Sequence, residues 1–590
     1  MTTLRFPRLA LAMLAGGASL ALASPASADS AAYFNMHSMQ SDVPTLLPQS
    51  DREYYRSLFT AIEGADWQTV QKLLDQRQNG PLHKVALAQY YLAATSPRVE
   101  LSQIENWLSS GRELPYAERM GRLGLKRGLQ AMPSLPSQNS FYRQAAIPKR
   151  LRPGAIEDGT VPPTLRSGIL ERITKDDPDG AKLLLEPAEA MLSGDARTEL
   201  RQRIAWSYYI ENRDSDALAM ALSLSDAGSG AWLAEADWVA GLAAWRLGDC
   251  MTSYAGFQRA AARTNSSELS SAAHYWASRA AVRCRMPDRV SDHLREAARS
   301  DDTLYGMLAA EQLGAALPDR FAQPDFSERD WNLLGKKENV RAAIELVEIG
   351  RDDLASELLI YQARIGSPDE FAALSRLARC LGLPATQLFM ANNAPSGAKA
   401  DPAANFPTPK WMPVTGWKVD PALAYAHALQ ESNFRTSAVS PAQAKGLMQI
   451  TPITVREHSP RLNMNASSVD LNDPRVNLAF GQQNLEMLRD SSGTEGKLPK
   501  IMAAYNAGLN PITRWNSEVR DQNDPLLYME SIPYWETRGY VAIVMRNYWM
   551  YERQAQSESP SRKALAQGQW PAFPGQPASG RVWLSSHRDD

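Results

Sequence analysis

From about Asp51 to Leu388, apolar residues recur at i, i+3, i+4 and i+7 with polar residues between them, and period-two alternation is almost absent. That spacing gathers apolar side chains on one stripe of a helix and predicts a region that is helical almost throughout. Three stretches inside it share a pattern: RIAWSYYIENRDSDALAMA (203–221), DWVAGLAAWRLGDCMTSYAGFQRAA (237–261) and SAAHYWASRAAVRCRMPDRVSDHLREAA (271–298). Each has a Trp on a first helix, a short turn containing Asp, and an Ala-rich second helix. Trp206, Trp245 and Trp276 recur at spacings of 39 and 31 residues, a period that suits helical hairpins. One hairpin cannot bury its apolar face alone, so the hairpins are expected to stack into a curved solenoid.

The pattern breaks in four places. Pro133, Pro136, Pro148, Pro153, Pro162 and Pro163 interrupt it at 132–165, which predicts an extended crossing segment. NNAPSGAKADPAANFPTPKWMP (392–413) has the composition of a linker. The tail from Ser557 carries Pro560, Pro571, Pro574 and Pro577 and is expected to be poorly ordered. At the start, Arg5 and Arg8 precede an apolar run from Leu9 to Ala23 and then Ala26-Ser27-Ala28. This is the form of a secretory signal with cleavage after Ala28. The run is shorter than the ~20 residues of a membrane-spanning helix and is broken by Gly16, Gly17 and Ser19. The expected product is an exported protein without a membrane anchor. The resulting division is 1–28 signal peptide, 29–300 superhelical domain, 301–400 helical linker domain and linker, 401–556 catalytic domain and 557–590 tail.

Composition narrows the chemistry. The 590 residues are 44% hydrophobic with 15 Trp and 20 Tyr, enough for large cores. With 63 basic against 65 acidic residues and no basic stripe, nucleic acid is not an expected partner. There is no HExxH, no GxxxxGK[ST] and no four-cysteine set, so neither a metal nor a nucleotide cofactor is expected. Cys250 and Cys284 sit in adjacent predicted hairpins and are either a disulfide or two small core residues.

The candidate chemistry lies after the second break. PALAYAHALQESNF (421–434) reads as a helix that ends at Ser432-Asn433, with Glu431 in its last turn. A carboxylate there meets the negative end of the helix dipole, and partial burial also disfavours its charge. A carboxyl kept protonated near neutral pH is what a general acid requires. His427, one turn earlier, reads as a packed or hydrogen-bonded histidine, and Trp515, Trp535 and Trp549 as core.

Beyond Glu431 come Ser440-Pro441-Ala442-Gln443-Ala444-Lys445-Gly446-Leu447-Met448-Gln449, then Ala504-Tyr505-Asn506-Ala507-Gly508, then Ile532-Pro533-Tyr534-Trp535-Glu536-Thr537-Arg538-Gly539-Tyr540. In order and spacing this set resembles the soluble lytic transglycosylase family, whose pattern is ES, SxxGAxGLMQ, AYNAG and IPxxETRxY. Leu304-Tyr305-Gly306-Met307-Leu308-Ala309 is similar to the family's YGxLA stretch, so the resemblance reaches the upstream half less specifically.

The resemblance implies an all-α protein: an α-superhelix followed by a lysozyme-like domain, in the periplasm. It implies cleavage of the MurNAc-β-1,4-GlcNAc bond of peptidoglycan with formation of a 1,6-anhydro product. Glu431 would be the catalytic acid and then base. Ser440, Met448, Gln449, Tyr505, Asn506, Glu536 and Arg538 would bind substrate, with Tyr505 bonding near Glu431. Peptidoglycan strands would be the partner, and the helical repeats would take other cell-wall proteins. One carboxylate suffices in such a scheme because the substrate's acetamido oxygen and C6 hydroxyl replace the second acid and the water of ordinary glycosidases.

One departure from the family pattern is Gln443, where Gly is usual; a positive φ there would strain Gln. Two other readings stand beside the first. A goose-type lysozyme-like hydrolase would need a second carboxylate, for which Asp470 and Asp473 are present but lie far along the chain from Glu431. A non-catalytic glycan-binding scaffold would need none.

Overall fold

Asp-Pro steps start four of the helices: Pro178–Leu185, Pro421–Ser432, Pro474–Asp490 and Pro525–Glu530. The proline pre-sets the first helical φ, while Asp177, Asp420, Asp473 and Asp524 each accept a first-turn backbone N–H. The structure, a computed structural model, describes residues 30–39, 43–144, 147–224, 230–317 and 325–575. The expected signal peptide, 1–28, lies outside them. Among the described residues there are 28 α-helices and two three-residue strands. The fold is all-α.

The three repeated blocks are helical hairpins: Gly194–Ile210 with Asp214–Leu222, Gly230–Leu247 with Cys250–Arg263, and Ser267–Arg283 with Pro287–Ala298. Each turns through one left-handed residue, respectively Asn212 (φ 57°), Gly248 (φ 82°) and Arg285 (φ 59°). The repeat thus extends to backbone geometry. Within the second hairpin the helices touch at Gly241 and Gly256, where a Cβ on Gly256 would stand 2.8 Å from the Gly241 nitrogen. Two of the three Trp positions meet: Trp245 and Trp276 lie edge to face at 5.3 Å, with the Arg279 guanidinium over both rings. Cys250 and Cys284 are joined as a disulfide with their Cα atoms 5.4 Å apart.

Packing divides the molecule differently from the sequence order. One core unites helices from 163–313 with residues 406–573. The other unites residues 43–120 with 326–394. Each core is therefore discontinuous in the chain, and position 300 lies within the first core, which holds Ala297 on one side of it and Leu304 on the other. Among its described residues the proline-interrupted segment has no helix before Pro163, and its Phe141–Arg143 strand pairs antiparallel with Asn393–Pro395 where the chain returns.

Two expectations are corrected. The linker-like stretch 392–413 is tied down: residues 403–409 are buried, and Tyr551 and Gln554 bond the carbonyls of Pro407 and Phe406. Its proline content fixes an extended path along apolar surface rather than a flexible one. The tail, described to residue 575, holds a helix at Pro560–Ala566. It also buries Leu565 and Phe573 in the first core, and the Leu498 N–H bonds the Pro571 carbonyl.

The seam between superhelix and C-terminal part is polar and buried. The Tyr305 hydroxyl donates to Glu530 at 2.7 Å, and Arg150 bridges Glu530 and Glu235 at 3.4 and 2.6 Å. Gly306, beside Tyr305, has no room for a side chain: a Cβ would fall 1.9 Å from the Ser300 carbonyl oxygen. Tyr305 of the upstream motif thus ties the superhelix to the C-terminal part, and Gly306 lets its helix start close against the Ser300 carbonyl. Among the described residues, no helix is long and apolar enough to cross a membrane.

Candidate active site

The Pro421–Ser432 helix is buried on every face from Pro421 to Leu429 and reaches solvent only at its end. Asn433 (φ 52°) and Phe434 (φ 60°) are both left-handed and stop it. Asn tolerates this conformation because its short polar side chain can bond locally. Glu431, one residue from the end, is half-buried. Burial is the main cause that pushes its carboxyl up to about 7, with the Glu536 charge acting in the same direction and a Tyr540 hydrogen bond opposing it.

Tyr540 is the residue the sequence reading did not assign. Its hydroxyl donates to Glu431 Oε1 at 2.7 Å. It lies on the Trp535–Gln554 helix, one turn after Glu536, so one helical face presents both groups to Glu431. The (i, i+4) spacing from Glu536 was the available signal. His427 Nδ1 lies 2.8 Å from the Tyr540 oxygen, and burial drops the His427 imidazole to about 3, so the ring is neutral.

The remaining predicted residues divide by placement. Tyr505 ends a helix, Leu498–Ala507, and its ring centroid lies 4.6 Å from that of His427. It stands close enough to Glu431 to feel its charge, yet its hydroxyl donates to the Met448 carbonyl at 2.8 Å. Asn506 accepts from Thr537 at 2.7 Å and joins this helix to the one bearing Glu536. Glu536 is exposed. Ser440 and Gln449 are half-buried on a small loop whose Val439–Lys445 and Lys445–Ile450 bridges fold it back on itself. Ser440 Oγ accepts from Ala444 N–H, and the Gln449 amide donates to Gly446 and Ala438 carbonyls.

Two of the residues expected to bind substrate are buried. Met448 is fully buried, with its sulfur against Gly481. It is a packing residue that lends its carbonyl to Tyr505. Arg538 is buried on the far face of its helix, with its guanidinium 4.0 Å from the Trp206 ring centroid and 4.8 Å from that of Trp535. It belongs to the seam with the superhelix. Trp515 and Trp549 are buried too.

The loop explains its own glycine. Gly446 has φ 75°, and a Cβ there would lie 2.1 Å from the Asn477 amide nitrogen. Asn477 in turn bonds Met448 N–H and the Lys445 and Leu471 carbonyls. Gln443 does adopt a positive φ, 60°, so the departure from Gly is a strained position. Asp470 and Asp473 are used locally: Asp470 accepts from Asn472 N–H and Asp473 caps the Pro474–Asp490 helix. No group of three or more His, Cys, Asp or Glu able to hold a metal occurs among the described residues.

Residues 413–527 match the family described as Transglycosylase SLT domain. A putative soluble lytic murein transglycosylase of Haemophilus influenzae is 33% identical over 147 residues, 24% of this chain and 24% of that protein. The soluble lytic murein transglycosylase of Escherichia coli K12 is 32% identical over 149 residues, 25% of this chain and 23% of that protein. The chain thus spans about a quarter of the length of the curated relatives it matches. The crystal structure of the 70 kDa soluble lytic transglycosylase from Escherichia coli superposes with a TM-score of 0.53 at 16% identity. The match covers 89% of this chain and 99% of that one. The shared fold therefore runs through both halves of the molecule.

Proposed function

We propose, from the match of residues 413–527 to the Transglycosylase SLT domain family, that the protein is a lytic transglycosylase of peptidoglycan. It cleaves the MurNAc-β-1,4-GlcNAc bond and leaves a 1,6-anhydro-muramoyl end. The observation that carries this reading is Glu431: a half-buried carboxyl with its acidity moved to about 7, supported by Tyr540, at the exposed end of an otherwise buried helix.

Such a group is protonated often enough near neutrality to donate to the leaving oxygen, and the carboxylate it becomes is basic enough to take a proton back. The first transfer breaks the glycosidic bond as the substrate's acetamido oxygen closes on the anomeric carbon. The second deprotonates the C6 hydroxyl as that oxygen displaces the acetamido group. The substrate supplies both nucleophiles, so no water enters the product. Glu536, whose charge acts on Glu431, would contact the sugar or its peptide, and Ser440, Gln449 and Asn506 are the further polar groups to which the reading assigns substrate contacts. The secretory signal expected at residues 1–28 would put the reaction in the periplasm, and the superhelix would meet glycan strands or other cell-wall proteins.

Mass spectrometry of digested peptidoglycan tests the reading. Anhydro products, one water lighter than hydrolysis products, are expected from the wild type and none from Glu431→Gln. Reducing ends would instead favour a lysozyme-like hydrolase with Glu536, the exposed carboxylate acting on Glu431, as base for water. No product at all would leave a glycan-binding scaffold.

A further inference from the structure

His427 is fully buried beside the proposed acid, and the reaction as described does not use it. Its Nδ1 is 2.8 Å from the Tyr540 oxygen, the same oxygen that donates to Glu431 Oε1 at 2.7 Å. Its other nitrogen, Nε2, is buried without a hydrogen-bond partner. A neutral imidazole carries one proton, on one nitrogen or the other.

The unpartnered Nε2 decides between the tautomers. A proton on Nε2 would bury an unsatisfied N–H, and Nδ1 could then only accept, drawing the single Tyr540 proton away from Glu431. A proton on Nδ1 leaves at Nε2 only a lone pair, the cheaper group to bury. Nδ1–H then donates to the Tyr540 oxygen, and the Tyr540 proton has Glu431 Oε1 as its acceptor. When Glu431 is itself protonated, an Oε1 that is accepting from Tyr540 is the disfavoured site for the acid proton.

We infer that His427 is a positioning residue: through Tyr540 it fixes Glu431 Oε1 as an acceptor and leaves the transferable proton to Oε2. The chain His427 Nδ1–H, Tyr540 O–H, Glu431 runs one way, and each donation polarises the next. The groups that face it are Glu431 on the same helix, Tyr540 and Glu536 on the Trp535–Gln554 helix, and Tyr505 against the imidazole ring. The role of the proton in cleavage rests on the proposed function; the direction of the hydrogen bonds does not.

Two measurements on the full-length protein test this separately. Nitrogen-15 labelling of the seven histidines, with the His427 signal assigned by its loss in His427→Asn, reads the tautomer without any substrate. A neutral ring protonated on Nδ1 from pH 5 to 8 is expected; a proton on Nε2, or a ring that titrates in that range, overturns the inference. In kinetics on soluble glycan strands, His427→Leu is expected to lower kcat about tenfold with KM within about twofold. The basic limb of its kcat–pH profile should move upward by about half a unit, because Tyr540 becomes a weaker donor to the Glu431 carboxylate. His427→Asn, which keeps an N–H near the Nδ1 position, should restore most of the rate. In a Tyr540→Phe background His427→Leu should add nothing. A His427→Leu enzyme with the wild-type rate and pH limb, or an effect additive with Tyr540→Phe, would contradict the role. If the wild type cleaves no glycan, the proposed function fails, and the tautomer still decides this point. If His427→Leu does not fold, His427→Asn and the tautomer decide it.

Discussion

Replacing Glu431 by Gln should stabilise the protein at alkaline pH while abolishing turnover. The folded carboxyl sits at about 7, against an ordinary 4.5, chiefly because burial disfavours its charge. Below about pH 4.5 it is protonated in both folded and unfolded states and contributes no pH-dependent penalty. As pH rises to 7 the unfolded chain ionises first, so stability falls, and above 7 the loss levels off. A full shift of this size corresponds to about 3 kcal/mol. Glu431 is half-buried, so solvent screening reduces the figure to roughly 1–3 kcal/mol. Gln has the same shape, accepts from Tyr540 through the same oxygen and never ionises, so it escapes the penalty. For a cooperative unit the size of the first core this means a Tm gain of roughly 2–6 °C at pH 8.5, shrinking to nothing near pH 4.5. Differential scanning calorimetry of both proteins from pH 4.5 to 8.5 gives the difference curve. A pH-independent difference, or a variant less stable than the wild type at pH 8.5, would show that burial does not hold the carboxyl protonated and would remove the basis for its role as acid.

Tyr540→Phe removes the one hydrogen bond that favours the Glu431 carboxylate. The basic limb of the kcat–pH profile should move upward and kcat at pH 7 should fall about 10–100-fold, as read by initial rates on soluble glycan strands. Gln443→Gly should relieve the left-handed backbone at φ 60° and stabilise the protein by roughly 0.5–1 kcal/mol in urea denaturation; a loss of stability would mean that the Gln443 side chain does more than tolerate the turn. A fragment beginning at Asp401 should be poorly soluble and bind hydrophobic dyes, because it loses Phe34 from Tyr425, Tyr305 and Arg150 from the buried Glu530 and Trp206 from the buried Arg538; a soluble fragment with a sharp thermal transition would contradict a first core shared by both halves of the chain.

The site was legible where chemistry and local structure coincide. Glu431 announces itself because a helix start at Asp420-Pro421 and a stop at Ser432-Asn433 can both be read from residue types, which places the carboxyl at the end of an apolar helix. Ser440, Gln449, Tyr505, Asn506 and Glu536 are expected beside it from their motifs alone. Met448 and Arg538 show the limit of that reasoning. Both sit inside the motifs, but a motif preserves what packing needs as well as what substrate needs. Which face of the Trp535–Gln554 helix meets the cleft is set by its neighbours: Glu536 and Tyr540, four apart, face Glu431, while Arg538 points to Trp206. Only three-dimensional context separates them. The Cys250–Cys284 pairing was equally open until the hairpins fixed their Cα distance.

The packing of the linker-like stretch was the least legible feature, and the reason is physical. Proline, glycine and alanine at 392–413 look like a linker because those residues suit extended, weakly held backbone. The same residues serve when a chain must cross between two cores along apolar surface, as residues 403–409 do. The hydrophobic pattern reports that a helix has a face to bury but carries no record of which distant helix covers it. Here the covering partners are far apart in sequence: Tyr305 with Glu530, Arg150 with Glu530, Trp206 with Arg538, Phe34 with Tyr425. Several of these contacts bury charge. Removing one partner of a buried charged pair leaves the other uncompensated, typically at about 3–5 kcal/mol. A catalytic part detached from its superhelix would carry several such groups at once. The geometry that holds Glu431 at its helix end is therefore built on a core to which the superhelix contributes nearly as much as the catalytic helices themselves.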